Sequence, residues 1–160
     1  MEEKRVSNGK LRETNEMEII FDAVSENEGF ARVAVAAFMT GLNPTLEEVS
    51  DVKTAVSEAV TNAIIHGYGF GIKENEEIGK VRLHCSIEKN VIRISVEDKG
   101  VGIEDVHKAM EPLFTTKPEL ERSGMGFAFM EAFMDTVQVY SVVGEGTRVV
   151  LEKMLGKDCE

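Results

Sequence analysis

Basic residues, cysteines and long apolar runs are all scarce in this 160-residue sequence. The 18 lysines and arginines face 29 aspartates and glutamates, and the net charge of −11 argues against a nucleic-acid-binding surface, because such surfaces are basic. No apolar run approaches the roughly 20 residues of a transmembrane helix, and the opening MEEKRVSNGK lacks the apolar core of a secretory signal. We therefore expect a cytoplasmic protein that makes no direct contact with nucleic acid or with a membrane.

The two cysteines, Cys85 and Cys159, show no CxxC spacing that would predict a zinc site. We expect both to be reduced thiols and not a disulfide pair. The length and the 42% share of hydrophobic residues fit one domain with a proper core. The polar start predicts a flexible extension over residues 1–16, followed by a single domain over 17–154 and a C-terminal tail over 155–160.

Two helices are predicted after a first strand over residues 17–24. The first helix begins near Glu28, and the second runs from about Thr45 to His66 and ends at Gly67. In each helix the apolar residues recur at helical spacing, which places them on one stripe facing the core. The first stripe comprises Phe30, Val33, Ala34, Ala37 and Phe38, and the second comprises Val49, Val52, Val56, Val60 and Ala63.

Strands dominate the rest of the predicted domain. Alternating apolar residues in KVRLHCSIE and after the turn at 89–90 predict two strands. A short helical turn over 103–109, a proline-containing loop and a helix over 124–134 follow, and VQVYSVVGEGTRVVLEK is typical of a hairpin with Gly144 and Gly146 at its turn. This order predicts an α+β fold, a two-layer α/β sandwich whose mainly antiparallel mixed sheet carries helices on one face.

Glu58 and Asn62 lie one turn apart on the predicted second helix and share a face that is separate from its valine stripe. A carboxylate and an amide in this arrangement suit a divalent ion and the orientation of an attacking hydroxyl or water. On spacing alone an ordinary solvated helix face is the more common explanation. The pair therefore becomes a candidate site only in combination with other clusters.

Asp98, in VEDKGVGI, falls on the same side of its strand as the apolar residues that precede it. A carboxylate on an inward face is costly to bury unless hydrogen-bond donors reach it, and an adenine amino group is such a donor. Gly100 and Gly102 would let the backbone approach the flat ring closely. A strand that simply ends in an Asp-Lys-Gly turn remains an alternative.

The stretch ERSGMGFAFM opens a predicted helix, with Gly124 and Gly126 on either side of Met125. The free N–H groups and the positive end of such a helix suit a phosphate. Arg122 and Lys117 would supply positive charge that the acidic chain otherwise lacks. A glycine-rich helix start with no ligand is the alternative.

Thr147, in GEGTRVV, shares strand parity with Val149 and Leu151, so its hydroxyl faces inward and needs a partner. That partner is either a group of the core or, beside Asp98, a purine base. The clusters together suit the different parts of ATP better than they suit separate structural roles. Glu58 and Asn62 would bind the metal ion and the γ-phosphate, and Asp98 and Thr147 would bind adenine. The glycine turn over 124–126 would bind the phosphates.

Four segments, EAVTNAIIHG, EDKGVGI, RSGMGF and GEGT, resemble in this order the sequence boxes of the Bergerat-fold or GHKL ATPases. SENEGFARVAVAAF, SEAVTNAIIHGY and PLFTTKPELERSGMGF are more specifically similar to the sporulation anti-sigma F factors, a family of small serine kinases. The similarity runs from about Met17 to Glu152. Residues 1–12 and the loop over 69–79 exceed the family pattern.

The resemblance implies roles for single residues. Glu58 is implied as the general base, Asn62 as the magnesium ligand, and residues 110–123 as a lid over ATP. Arg122 would lie near the γ-phosphate. The ATP/ADP-binding residues implied by the matching boxes are Asn62, Asp98, Gly100, Gly102, Thr115, Thr116, Lys117, Arg122, Ser123, Gly124, Met125, Gly126 and Thr147.

The resemblance also implies partners. The expected protein is a homodimer that binds a sporulation sigma factor, sigma F, and uses Mg²⁺ and ATP to phosphorylate a serine of an anti-anti-sigma factor. Arg32 is implied as a contact to both partners. Two alternatives remain open at this point, a stress-response-type anti-sigma kinase and a non-catalytic module whose shape depends on ATP. A histidine-kinase core is disfavoured because no separate helical domain offers a phosphoacceptor histidine.

Overall fold

The computed structural model describes residues 14–69, 77–111 and 126–156, which form five strands and four α-helices. Between α2 and β2 the chain continues from α2 into a π-helical turn, Ala63–Gly67. The elements in chain order are β1 Thr14–Asp22, α1 Glu26–Met39, α2 Leu46–Asn62, β2 Lys80–Glu88, β3 Val91–Asp98, α3 Val106–Ala109, α4 Gly126–Phe133, β4 Thr136–Val142 and β5 Gly146–Met154.

The strands form one sheet in the order β1-β2-β3-β5-β4, and every neighbouring pair is antiparallel. Buried side chains from α1, α2 and α4 join those of the sheet in a single apolar cluster, so the helices cover one face. The α+β sandwich is therefore confirmed, with one correction. The five described strands contain no parallel pair, whereas a mixed sheet was predicted.

The alternation predicted for β2 and β3 is confirmed. In β2 the inward residues Val81, Leu83 and Cys85 are fully buried, while the residues between them are exposed or half-buried. Cys85 is a free thiol, and its burial raises its pKa to about 12, so it stays protonated and unreactive at neutral pH. Cys159 lies outside the described residues.

The apolar stripe predicted for α1 is wrong. Phe30 and Val33 are 59% and 58% exposed, and the buried face is formed instead by Ala31, Val35 and Met39. Both sides of this helix are apolar, so periodicity could not identify the side that faces the sheet. The stripe predicted for α2 is confirmed, since Val52, Val56, Val60 and Ala63 are buried and Val49 is partly buried.

Both predicted domain boundaries change by a few residues. Strand β1 begins at Thr14, so residues 14–16 belong to the sheet and not to the predicted extension. Leu155 is fully buried and its N–H donates to the carbonyl of Asn90 at 2.8 Å, so the domain also continues past residue 154. The remainder of the predicted extension and the last four residues lie outside the described residues. No helix in the part of the chain that the structure describes is long and apolar enough to cross a membrane.

Candidate functional site

A cavity of about 720 Å³ opens between the end of α2, the end of β3 and the start of α4. Its volume lies within the range of roughly 300–1,000 Å³ that is usual for small-molecule sites. Residues predicted from separate sequence segments therefore meet around one cavity. Those that line it are Asn62, Asp98, Gly102, Gly126 and Thr147.

Asp98 lines this cavity and is buried, with only 6% of its surface exposed. The side-chain Oδ1 accepts a hydrogen bond from the backbone N–H of Gly100 at 2.9 Å. Burial raises the pKa of the Asp98 carboxyl to about 6, although hydrogen bonds from the backbone of Gly100 and Thr147 lower it in part. The inward orientation predicted from strand parity is confirmed, and the carboxylate is held at an energetic cost.

Three glycines let separate parts of the backbone meet around Asp98. A Cβ atom on Gly100 would lie 2.0 Å from the carbonyl oxygen of Gly67, and one on Gly67 would lie 2.7 Å from Oδ1 of Asp98. On the third side, a Cβ on Gly146 would lie 2.1 Å from the Asp98 carbonyl oxygen. The structure shows that Gly100 closely approaches the π-helical turn, and its predicted close approach to a ligand stays a prediction.

The π-helical turn explains how Gly67 reaches this position. A π-helical segment widens the helix by closing i→i+5 hydrogen bonds, and such segments occur often at functional sites. Here the carbonyl of Gly67 accepts a hydrogen bond from the N–H of Val101 at 3.1 Å, which ties the end of the helix to the loop after β3. The end of the helix at Gly67 was predictable from the sequence, but the change in helix type was not.

Glu58 and Asn62 share a face of α2, as predicted, and α4 begins directly over them. A Cβ atom on Gly126 would lie 3.2 Å from both Oε2 of Glu58 and Nδ2 of Asn62. A glycine at this position thus leaves the ends of both side chains room beside the first turn of α4. The start of that helix is where the sequence placed a phosphate.

Thr147 lies opposite Asp98 in the β3–β5 register and lines the cavity. Its Oγ1 is 2.8 Å from Oγ of Ser141, a residue that sequence analysis missed. Ser141 also accepts from the N–H of Ile103 at 2.7 Å and donates to the carbonyl of Gly146 at 3.1 Å. The threonine therefore has a partner within the protein, and the same serine fixes the loop after β3.

A second cavity of about 560 Å³ lies in a groove between α1 and α2. Arg32 and Glu58 both line it, together with Lys53 and Ser57. Arg32 pairs with Glu28 at 3.6 Å, and Glu28 also accepts a hydrogen bond from the Ser57 hydroxyl. Glu58 therefore lines this groove and Asn62 lines the first cavity, although both side chains lie on one face of α2 and end beside Gly126.

Several predicted site residues lie outside the described residues. These are Thr115, Thr116, Lys117, Arg122, Ser123, Gly124 and Met125. Among the cavity-lining residues that were not predicted as site residues are Lys108 on the short helix α3 and His66 in the π-helical turn. Neither belongs to a spacing pattern that the sequence would reveal.

We expect the replacement Asp98→Asn to stabilise the ligand-free protein at neutral pH. The pKa of Asp98 is about 6 in the folded chain, against roughly 3.9 in an unfolded one, so folding favours its protonated form. The contribution of Asp98 to stability is thus complete below about pH 4 and is lost as the pH rises through 6. At pH 7.5 an uncharged asparagine side chain avoids this loss, which corresponds to about 2–3 kcal/mol.

Urea denaturation of both proteins at pH 7.5 and at pH 4 measures this difference in the free energy of unfolding. The gain should shrink markedly at pH 4, where Asp98 itself is largely protonated. An equal gain at both pH values would show that the charge of Asp98 is not its cause.

The comparisons with known proteins agree with this geometry. The family described as the histidine kinase-like ATPase domain matches residues 22–153. An anti-sigma F factor of Clostridium beijerinckii is 57% identical over 139 residues, which cover 87% of this chain and 94% of the relative. Another, of Anoxybacillus flavithermus, is 57% identical over 143 residues, 89% of this chain and 94% of the relative. The chain therefore belongs to the anti-sigma F factor family of histidine kinase-like ATPase domains.

Solved structures confirm the fold. The RsbU and RsbW domains of Rv1364c from Mycobacterium tuberculosis align with a TM-score of 0.61 at 19% identity, covering 88% of this chain and 32% of that longer one. The catalytic domain of the histidine kinase ThkA aligns with a TM-score of 0.51 at 17% identity, covering 87% of this chain and 96% of that domain. At these identities the likeness establishes the Bergerat-type architecture alone.

Proposed function

We propose that this protein binds ATP with Mg²⁺ in the first cavity, transfers the γ-phosphate to a serine of an anti-anti-sigma factor, and sequesters a sporulation sigma factor. One observation carries the enzymatic part. Glu58 and Asn62 lie one turn apart on α2. Glu58 lines the groove between α1 and α2, and Asn62 lines the first cavity. A carboxylate at this junction would reach both a nucleotide in the cavity and a protein substrate in the groove.

The adenine ring would lie at the buried end of the first cavity. The carboxylate of Asp98 would accept a hydrogen bond from the exocyclic amino group, and Thr147 lies beside it on β5. The phosphates would then extend toward Asn62 and the start of α4, where free N–H groups favour an anion. Family resemblance adds the roles proposed for Lys117, Arg122 and the glycine turn at 124–126.

Magnesium fits the residues at the phosphate end. Within the described ranges no three His, Cys, Asp or Glu side chains converge on a metal site. Mg²⁺ in nucleotide enzymes commonly uses only one or two protein ligands and takes the rest from phosphates and water. The side-chain oxygen of Asn62 would be such a ligand, and the ion would supply charge neutralisation during transfer.

Glu58 would act as the general base. Its carboxylate accepts the proton of the serine hydroxyl while the serine oxygen bonds to the γ-phosphorus and the bond to the β-phosphate oxygen breaks, which leaves ADP. The protein contributes mainly by positioning the two substrates in line. The groove between α1 and α2 would bring the serine to Glu58.

The groove that Arg32 lines would be the protein-binding surface. With Lys53, Arg32 places two cationic side chains beside Glu58 in a chain whose net charge is −11. The sigma factor and the anti-anti-sigma factor would both contact Arg32, so that binding of one competes with binding of the other. Phe30 and Val33, exposed on the same helix, support an association surface nearby, and a cytoplasmic homodimer would use it.

The test is phosphate transfer from labelled ATP to the anti-anti-sigma protein of the same bacterium, with and without Mg²⁺. We expect label on a serine only when Mg²⁺ is present. Arg32→Ala should weaken binding of both protein partners at least tenfold, because it removes a charged contact, and should leave ADP affinity within about twofold. Failure to label the anti-anti-sigma protein, with ADP still bound, would favour a non-catalytic binding module over a kinase.

A further inference from the structure

Tyr68, which follows the π-helical turn, links β2 and β3 just beyond the point where their pairing ends. The last antiparallel pair of these strands is Val81 with Asp98. One residue further, the Tyr68 hydroxyl donates to the carbonyl of Lys80 at 2.7 Å and accepts from the backbone N–H of Lys99 at 2.6 Å. The phenol thus bridges the two backbones beside the buried carboxylate.

This bridge completes the hydrogen bonding of the turn that follows Asp98. The N–H of Lys99 donates to Tyr68, that of Gly100 donates to Asp98 at 2.9 Å, and that of Val101 donates to the carbonyl of Gly67 at 3.1 Å. Gly67, the last residue of the π-helical turn, and Tyr68, the next residue, therefore hold the two ends of the turn over 99–101. Its central N–H is left to fix one oxygen of the Asp98 carboxylate.

The ring of Tyr68 packs closely against Gly79. A Cβ atom on Gly79 would lie 2.5 Å from two carbons of the ring, so only glycine admits the ring at this position. Burial is the main cause that raises the pKa of Tyr68 further above its ordinary value, and the protonated phenol can both donate and accept at neutral pH. A phenylalanine would retain this packing and lose only the hydroxyl.

We propose that Tyr68 is a positioning residue for recognition of the nucleobase, acting through the Lys99–Val101 turn on the carboxylate of Asp98. The inference rests on the proposed contact between Asp98 and the adenine amino group. Without the hydroxyl, the N–H of Lys99 loses its acceptor and the turn relaxes. Asp98 then loses the fixed Gly100 donor and keeps only the backbone hydrogen bond from Thr147, so its carboxylate is less firmly oriented and the hydrogen bond to the amino group weakens.

The experiment compares ADP with inosine diphosphate, which lacks the amino group, in wild-type protein and in Tyr68→Phe. We expect the affinity for ADP to fall roughly tenfold, because a hydrogen bond to a charged group is disturbed, while the affinity for inosine diphosphate changes less than about twofold. Tyr140→Phe is the matched control. Its hydroxyl bonds to the side chain of Gln138 at 3.1 Å on the exposed strand β4, and both affinities should stay unchanged.

Equal losses for both nucleotides would mean that Tyr68 supports the pocket as a whole, and no loss would mean that its hydroxyl is dispensable. Either result overturns the inference. Hydrogen exchange in the wild-type protein gives a test that needs no variant, since the Lys99 amide should be protected without nucleotide. Rapid exchange at Lys99 would also overturn the inference.

Asp98→Asn in the same assay tests the underlying proposal separately. If Asp98→Asn abolishes the preference for ADP and Tyr68→Phe retains it, the adenine contact stands and only the role of Tyr68 fails. If Asp98→Asn leaves the preference unchanged, the adenine contact fails and the role of Tyr68 fails with it.

Discussion

Glu58→Gln should lower the rate of phosphate transfer to the anti-anti-sigma factor by at least about 100-fold, the usual contribution of a positioned general base. Glutamine keeps the size of the side chain, so Asn62 and the start of α4 keep their positions. The affinity for ADP should therefore change less than about threefold. Single-turnover transfer from labelled ATP, together with equilibrium binding of ADP, separates the two effects.

Glu47→Gln is the matched control for this replacement. Glu47 is an exposed carboxylate in the first turn of the same helix, and it lines neither of the two cavities. Its transfer rate should equal that of the wild type. Normal transfer by Glu58→Gln would remove the role of general base and leave nucleotide binding intact.

Gly100→Ala should both destabilise the protein and damage the nucleotide site. The new Cβ would lie 2.0 Å from the carbonyl oxygen of Gly67, and because its nearest neighbours are backbone atoms there is little room for adjustment. We expect a loss of about 3 kcal/mol in the free energy of unfolding, at the upper end of the cost of overpacking. Affinity for ADP should fall at least tenfold, because the displaced turn carries the donor to Asp98.

Gly29→Ala provides the contrast. Gly29 lies within α1, and a Cβ there would meet no atom within 4 Å. Alanine is favoured over glycine inside a helix, so this variant should gain about 0.5–1 kcal/mol. Urea denaturation of the two variants side by side checks the prediction, which fails if Gly100→Ala is as stable as Gly29→Ala.

The sheet and the buried carboxylate were predictable because strand alternation is a local pattern. Because side chains alternate between the two faces of a strand, the buried apolar residues of β3 were enough to place Asp98 on the buried face. Helix α1 was harder, because apolar residues occur on both sides of it. Ala31 is small enough to pack closely in the core, whereas Phe30 is exposed, and hydrophobicity alone ranks them the other way.

The residues that support the site were less predictable than those that line it. Tyr68 and Ser141 act through hydrogen bonds to backbone groups that are far away in sequence, at Lys99 and Ile103. The contact of Gly67 with Gly100 depends in addition on the π-helical turn. No periodicity of apolar residues distinguishes this turn from the end of an ordinary α-helix.

Helix α2 lines a different cavity with each part of its length. Its N-terminal part, through Glu58, lines the groove toward α1, and the part from Ala59 onward, with the π-helical turn, lines the large cavity. Because a helix rises about 1.5 Å per residue, the four-residue separation fixes the distance between Glu58, the proposed proton acceptor, and Asn62, the proposed metal ligand. Under the proposed roles, substitutions in the first three turns of α2 would change partner preference and leave Asn62 in place, whereas a single residue inserted between 58 and 62 would turn Asn62 away from Glu58.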